Sequence, residues 1–306
     1  MMTFANGIVP ARPVVAGSPP APGDFTMAKP STAEKRKTFR ALHQSGCFVI
    51  PNPWNIGTAR YLQSLGFKAL ATTSAGYAHA QGFSDGEVTL DMVLTHCREI
   101  AQTADVPVNA DFENGFAHDP DGLAKNVTSC VETGVAGLSV EDFSGDGQKP
   151  IYDHDLAVRR IKAARAAIDK AGGDVLLTGR CENFLHGNPD LDDTLRRLKA
   201  YAEAGADCLY APGIKTREHI EAAVKAVAPK PVNFLNSGAF GFSVSDIAAM
   251  GVRRISVGGT MARLAMHAFM KSAGEIAQDG KFDSFAGVVP NAELNKFFAD
   301  DRKRRF

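Results

Sequence analysis

The chain has 306 residues, 44% of them hydrophobic, enough to bury the core of one large domain. Its 34 lysines and arginines are matched by 34 aspartates and glutamates, and its aromatic residues are not interleaved with the basic ones, which argues against a nucleic-acid partner. Five scattered cysteines without CxxC or Cys/His spacing argue against disulfides or a zinc site, and no apolar run approaches the ~20 residues of a membrane span, so a cytoplasmic protein is expected.

Residues 1–30 are rich in Pro, Gly and Ala, show no helical or strand period, and are expected to form a disordered tail without the features of a signal peptide. From residue 47 onward, short apolar runs alternate with longer amphipathic ones, with Gly or Pro at the joins. The expected strands are "CFVI" (47–50), "KALATTS" (68–74), "VPVNADFE" (106–113), "AGLSVED" (136–142), "DVLLTGRCE" (174–182), "DCLYAPG" (207–213), "PVNFLNS" (231–237) and "RRISVGG" (253–259). Helical patterns fill the gaps; in "DDTLRRLKAYAEAGA", for instance, Leu195, Leu198, Tyr201 and Ala202 recur at helical spacing. Eight parallel strands joined by helices predict an α/β fold, a (β/α)8 barrel, over residues 31–280. A doubly wound open sheet competes, but it lacks its GxGxxG fingerprint. Residues 281–306 form a C-terminal helical segment whose Phe282, Phe285, Val288, Leu294, Phe297 and Phe298 have no barrel surface left to cover.

Chemistry in such barrels sits at the C-terminal ends of the strands. The third strand ends in Asp111 and Glu113, the fourth in Glu141 and Asp142, the fifth in Arg180 and Glu182, and Asp85 lies in the loop after the second. Period-two alternation puts Asn109, Asp111 and Glu113 on one face, and Arg180 with Glu182, while Cys181 turns toward the helices. Carboxylates gathered in a partly desolvated mouth repel one another and take up protons unless a cation joins them. Asp85, Asp111, Glu113 and Glu141 are therefore the expected metal set, and all-oxygen ligands favour Mg2+ or Mn2+ over zinc. The plainer alternative is pairing with Arg or Lys, or helix capping, which suits Asp119 and Asp190 to Asp193.

The stretches "PNPWNIGTARYLQSLGFKALATTSAG", "PVNADFENGFA", "GLSVED", "LTGRCENFLHG" and "YAEAGADCLYAPG" resemble, in this order, the isocitrate lyase and phosphoenolpyruvate mutase superfamily over roughly residues 38–300. The resemblance implies a Mg2+-dependent enzyme that binds or forms a 2-oxo acid through an enolate-like intermediate. It implies that Ser74, Ala75 and Gly76 hold the substrate carboxylate or oxyanion, that Arg180 binds substrate, that Glu141 faces the metal, and that Trp54 and Asn236 shape the pocket. The family's DxD is placed at Asn109 and Asp111, with Glu113 taking over part of the lost charge. It further implies a C-terminal segment exchanged between subunits of a homodimer or homotetramer.

The loop after the fourth strand, "FSGDGQKPIYDHD", lacks the cysteine that the isocitrate and methylisocitrate lyases use for proton transfer, which disfavours that reaction by its usual route. Lys149 is the expected loop acid, with Asp146, Tyr152 and His154 as substitutes, and Gly145 and Gly147 suit a lid. "VGGTMARLAM" reads equally as a phosphate-binding helix start and as close packing on small residues. The expected function is cleavage of a C–C bond in a small 2-oxo or 2-hydroxy (di)carboxylic acid. The alternatives are a phosphoenolpyruvate phosphonomutase or phosphonopyruvate hydrolase, and a 2-oxo acid binding protein without catalysis.

Overall fold

The computed structural model describes residues 29–172 and 174–305, so all but the last two residues of the expected tail lie outside it. In chain order the elements are α1 (Thr32–Leu42), β1 (Phe48–Ile50), α2 (Ile56–Ser64), β2 (Leu70–Ala71), α3 (Ser74–Gln81), α4 (Leu90–Thr103), β3 (Val108–Asp111) and α5 (Pro120–Glu132). They continue with β4 (Gly137–Glu141), α6 (His154–Lys170), β5 (Leu176–Arg180), α7 (Leu191–Glu203), β6 (Cys208–Tyr210), α8 (Arg217–Val227), β7 (Val232–Leu235) and α9 (Val244–Ala249). The last are β8 (Arg254–Ser256), α10 (Thr260–Asp279), a 3-10 turn (Asp283–Phe285) and α11 (Asn291–Arg305).

All eight strands pair in parallel in the order β1-β8-β7-β6-β5-β4-β3-β2, the near-closed ring of a (β/α)8 barrel. The ring is completed between β1 and β2 by single bonds: the Ala71 N–H donates to Pro51 O at 3.0 Å and Asn52 Nδ2 to Thr72 O at 2.8 Å. The strands are shorter than their apolar runs because polar groups take over at the ends. Thr73, for example, already caps α3 by accepting the Gly76 N–H. Asp119 and Asp190 cap α5 and α7 in the same way, the plain reading the sequence suggested for them.

One end of the barrel is stoppered by α1. Its Phe39 packs with Ile50, Ala71, Leu176 and Cys208, and a Cβ at Gly137 would stand 2.5 Å from the Phe39 ring, so only glycine admits it. The barrel is thus open to small molecules at the C-terminal ends of its strands. Beyond the barrel, α11 docks onto α2 through Asp301, 2% exposed, which takes the Arg60 guanidinium at 2.6 Å, and through the Tyr61 and Phe297 rings. Phe297 therefore does have a surface to cover, contrary to expectation, whereas Phe282, Phe285 and Val288 remain exposed. No described helix is long and apolar enough to cross a membrane.

Candidate active site

Three neighbouring strands end on residues in one register: Glu141 of β4 faces Arg180 of β5, which faces Tyr210 of β6. Arg180 is the hub. Its Nη1 lies 3.1 Å from Asp111 Oδ1 and 3.0 Å from Glu141 Oε2, its Nε donates to Glu182, and its guanidinium sits 5.2 Å from the centre of the Tyr210 ring. A flat cation with five donors suits such a junction. Burial works against the charge on Arg180, but Glu141, Glu182 and Asp111 outweigh it and hold the group firmly protonated.

Beside this hub lies a cavity of about 140 Å³ lined by Ser74, Ala75, Asp85, Asp111, Arg180 and Tyr210, among others. The Ser74 N–H donates to Asp111 Oδ2 at 3.0 Å, and the Asp111 N–H to Thr72 Oγ1 at 2.8 Å, so the start of α3 and the end of β3 are locked together. Gly76 plays a different part from the one expected. Its N–H goes to Thr73 Oγ1, and a Cβ there would meet Thr73 at 2.6 Å and Ala262 of α10 at 3.1 Å, so it is a packing glycine. In the "VGG" segment Asn52 Oδ1 accepts the Val257 and Gly258 N–H groups at 3.0 and 2.9 Å, leaving neither of these two amides for a phosphate, while Gly259 lines the cavity.

Five carboxylates, Asp85, Asp111, Glu113, Glu141 and Glu182, lie around Arg180, with His186 Nε2 3.4 Å from Glu182 and Arg254 elsewhere on the cavity wall. Glu113 follows the end of β3 with a left-handed backbone (φ 46°), so it is this turn, not strand alternation, that aims it. Its Oε1 is buried without a hydrogen-bond partner, and burial, then Asp111 and Asp85, push its carboxyl up to about 8. Glu141 is driven well above the carboxylate range by burial despite Arg180, and Asp85 is raised by burial and Asp111. Among the described residues no three acidic, His or Cys side chains already close around one point. Mg2+ requires less: it keeps several waters and takes one or two carboxylates directly. The orphaned Glu113 oxygen and the excess of acids over cations fit a divalent ion.

Asp142 leaves this group. Expected at the mouth, it points to the helical layer, where it accepts from Arg197 Nη1 at 3.2 Å, from the Tyr201 hydroxyl and from the Glu182 N–H. Cys181 is buried facing away, as expected, its thiol pushed well up by burial. Trp54 and Asn236 are not among the residues lining the cavity, and Asn236 Oδ1 is buried without a hydrogen-bond partner. Lys149 is exposed and paired with Asp153 at 3.0 Å, on a lobe closed by the Phe143–Ile151 bridge and anchored where Phe143 stacks 3.7 Å from His186. His154 starts α6 beside Asp155, its plain reading. Asn52, Tyr210 and Arg254 are site residues the sequence reading missed; Tyr210 could have been found by aligning the last residues of successive strands.

A Burkholderia cenocepacia J2315 protein, its crystal structure described as that of a candidate lyase/mutase, is 46% identical, covers 88% of this chain and 96% of its own, and superposes with a TM-score of 0.84. The oxaloacetate decarboxylase of Paraburkholderia xenovorans (strain LB400) is 27% identical over 73% of this chain and 75% of its own. A phosphonopyruvate hydrolase solved with oxalate and Mg2+ is 26% identical, covering 88% and 96%, with a TM-score of 0.77. The model of the phosphoenolpyruvate phosphomutase family matches residues 39–277, and the chain belongs to that family.

Proposed function

We propose that the protein is a Mg2+- or Mn2+-dependent lyase that breaks a C–C bond of a small 2-oxo or 2-hydroxy acid. The observation that carries this reading is the rim: Arg180 bridges three acids beside the first turn of α3, and acids outnumber cations around it. Asp111 and Asp85 reach the cavity and would hold the ion, with Glu113 and Glu141 near enough to act through water. When bound, the ion supplies Lewis-acid polarisation of the substrate carbonyl. Ala75, at the N-terminus of α3, suits the substrate carboxylate, where the helix end favours negative charge, while the Ser74 N–H beside it is held by Asp111. Cleavage next to a carbonyl leaves an electron pair on the fragment that keeps it, and Arg180 places fixed positive potential beside that oxygen. Lys149 would serve as a proton donor only with its lobe folded over the mouth and its pair with Asp153 broken.

A screen of four- to six-carbon oxo and hydroxy acids tests the reading. Release of pyruvate or CO2 should disappear with a chelator and return with added Mg2+ or Mn2+. Turnover untouched by the chelator would overturn it, and tight metal-dependent binding without turnover would favour a 2-oxo acid binding protein. The family model and the phosphonopyruvate hydrolase neighbour favour a second reading, C–P cleavage, scored as phosphate released from phosphonopyruvate. The Val257 and Gly258 amides held by Asn52 count against a phosphate seat at that point.

We further propose a homodimer or homotetramer. Phe269 (68% exposed) on α10 and Val288 (73%) after the 3-10 turn are exposed large apolar residues, as are Leu264, Met270, Phe282 and Phe285, and such a concentration on one stretch of chain favours burial against a partner. Phe269→Glu should shift the mass measured by light scattering toward the monomer. A wild-type protein that is monomeric at micromolar concentration would remove the proposal.

A further inference from the structure

The turn that carries Glu113 is held by two side chains that the chemistry above does not use. From Asn114 to His118, every backbone carbonyl accepts from a side chain of a neighbouring helix. Arg160 of α6 takes the two ends: its Nη2 donates to Asn114 O, and its Nη1 to Ala117 O and, at 2.6 Å, to His118 O. Asn126 of α5 takes the middle, its Nδ2 donating to Gly115 O at 2.9 Å and to Phe116 O at 3.2 Å. The carbonyl just before them, Glu113 O, accepts the Glu141 N–H of β4 at 3.0 Å.

The backbone itself calls for this support. The Gly115 N–H closes a turn on Phe112 O at 2.8 Å, Glu113 inside it is left-handed (φ 46°), and Phe116 just beyond is left-handed too (φ 58°). Side chains of this size disfavour that region, so the segment keeps its shape only where its surroundings over-determine it. Its partly buried carbonyls also need donors, and one guanidinium supplies several in a single plane. Arg160 is 1% exposed and stands 4.4 Å from the centre of the Tyr152 ring. Among the described residues it pairs with no carboxylate, so its hydrogen bonds go to the turn. Glu113 Oε1, by contrast, is buried without a hydrogen-bond partner. No bond of its own places that oxygen; the backbone does.

We propose that Arg160 and Asn126 are positioning residues for the candidate ion site: by holding residues 114–118 they keep Glu113 in the turn that sets its carboxylate beside Asp85 and Asp111. The proposal rests on the acid cluster taking Mg2+ or Mn2+. Neither residue touches the ion, and each acts through the main chain. Their effect on the ion therefore passes through one carboxylate, which a residue needed only for folding would not require.

Double-mutant cycles on the full-length protein separate these roles. Mg2+ dissociation constants are read by titration calorimetry at about pH 9, above the range in which Glu113 gives up its proton, with melting temperatures alongside. Arg160→Gln should weaken Mg2+ about tenfold, the low end for an outer partner of a metal ligand. Glu113→Gln should cost a similar factor, and adding Arg160→Gln to it should then cost less than about twofold more. Arg160→Lys should recover part of the affinity, since it keeps a donor without the fork. Equal losses from Arg160→Gln with and without Glu113 would make Arg160 a support of the fold alone and overturn the proposal. Unchanged affinity in Arg160→Gln or in Glu113→Gln would overturn it as well. Where Arg160→Gln does not fold, Asn126→Ala, which leaves the guanidinium in place, goes through the same cycle and is judged by the same outcomes. Absence of Mg2+ and Mn2+ binding by the wild type would overturn the reading of the acid cluster, and the proposal with it.

Discussion

Arg180→Lys should lower kcat/KM for the 2-oxo acid substrate by about 10³-fold while the protein still folds, the size of effect expected from losing a preorganised donor at a developing oxyanion. Lysine keeps the charge, so the loss isolates shape. The guanidinium reaches Asp111 and Glu141 with one nitrogen and Glu182 with another, and lies over Tyr210. An ammonium is a single point on a flexible stem and cannot serve these acids together in a fixed plane. Glu141, already raised by burial, would then keep its proton more firmly, and the positive potential at the cavity wall would move with the ammonium. Steady-state kinetics together with the melting temperature decide the matter. A kcat/KM within about threefold of wild type would show that Arg180 only ties the strand ends together. A rise in KM alone, with kcat unchanged, would make it a ground-state binder.

Much of the barrel was legible because its signals are local. Each apolar run needs only its own residues to announce a strand, and the caps at Asp119 and Asp190 need only the three residues that follow. Arg180 was legible because it ends a buried strand. What escaped depends on partners far along the chain. Asp142 was expected at the mouth because nothing near it reveals Arg197 and Tyr201, about two and three turns into α7. Gly76 was taken for an oxyanion donor because its packing partner, Ala262, comes nearly two hundred residues later. Arg254 was absorbed into the run "RRISVGG" as a strand residue, since a charge inside a barrel is recognisable only once its neutral neighbours are known. Strand alternation was the wrong ground for placing Glu113: the strand stops at Asp111, and the left-handed turn sets the direction of the side chain.

That turn leads to the second large effect. The affinity of the protein for Mg2+ should rise about tenfold per pH unit between about pH 6 and about pH 8, then level off, because an ion entering the acid cluster must displace the proton of Glu113. The cause is burial first, then Asp111 and Asp85, which together raise this carboxyl to about 8. The same shift sets the sign of the stability change. The folded protein holds this proton more tightly than the unfolded chain, so the contribution is complete below the ordinary carboxylate range and is lost as pH rises toward 8. The ion-free protein should therefore melt at lower temperature as the pH is raised through this window, and Mg2+ should restore most of the loss at its upper end. Glu113→Gln removes one proton from the exchange, so titration calorimetry should show its binding profile shallower by tenfold per pH unit. A variant with the same slope as wild type would place Glu113 outside the ion's reach, leaving Asp85 and Asp111 to hold it without help from the turn.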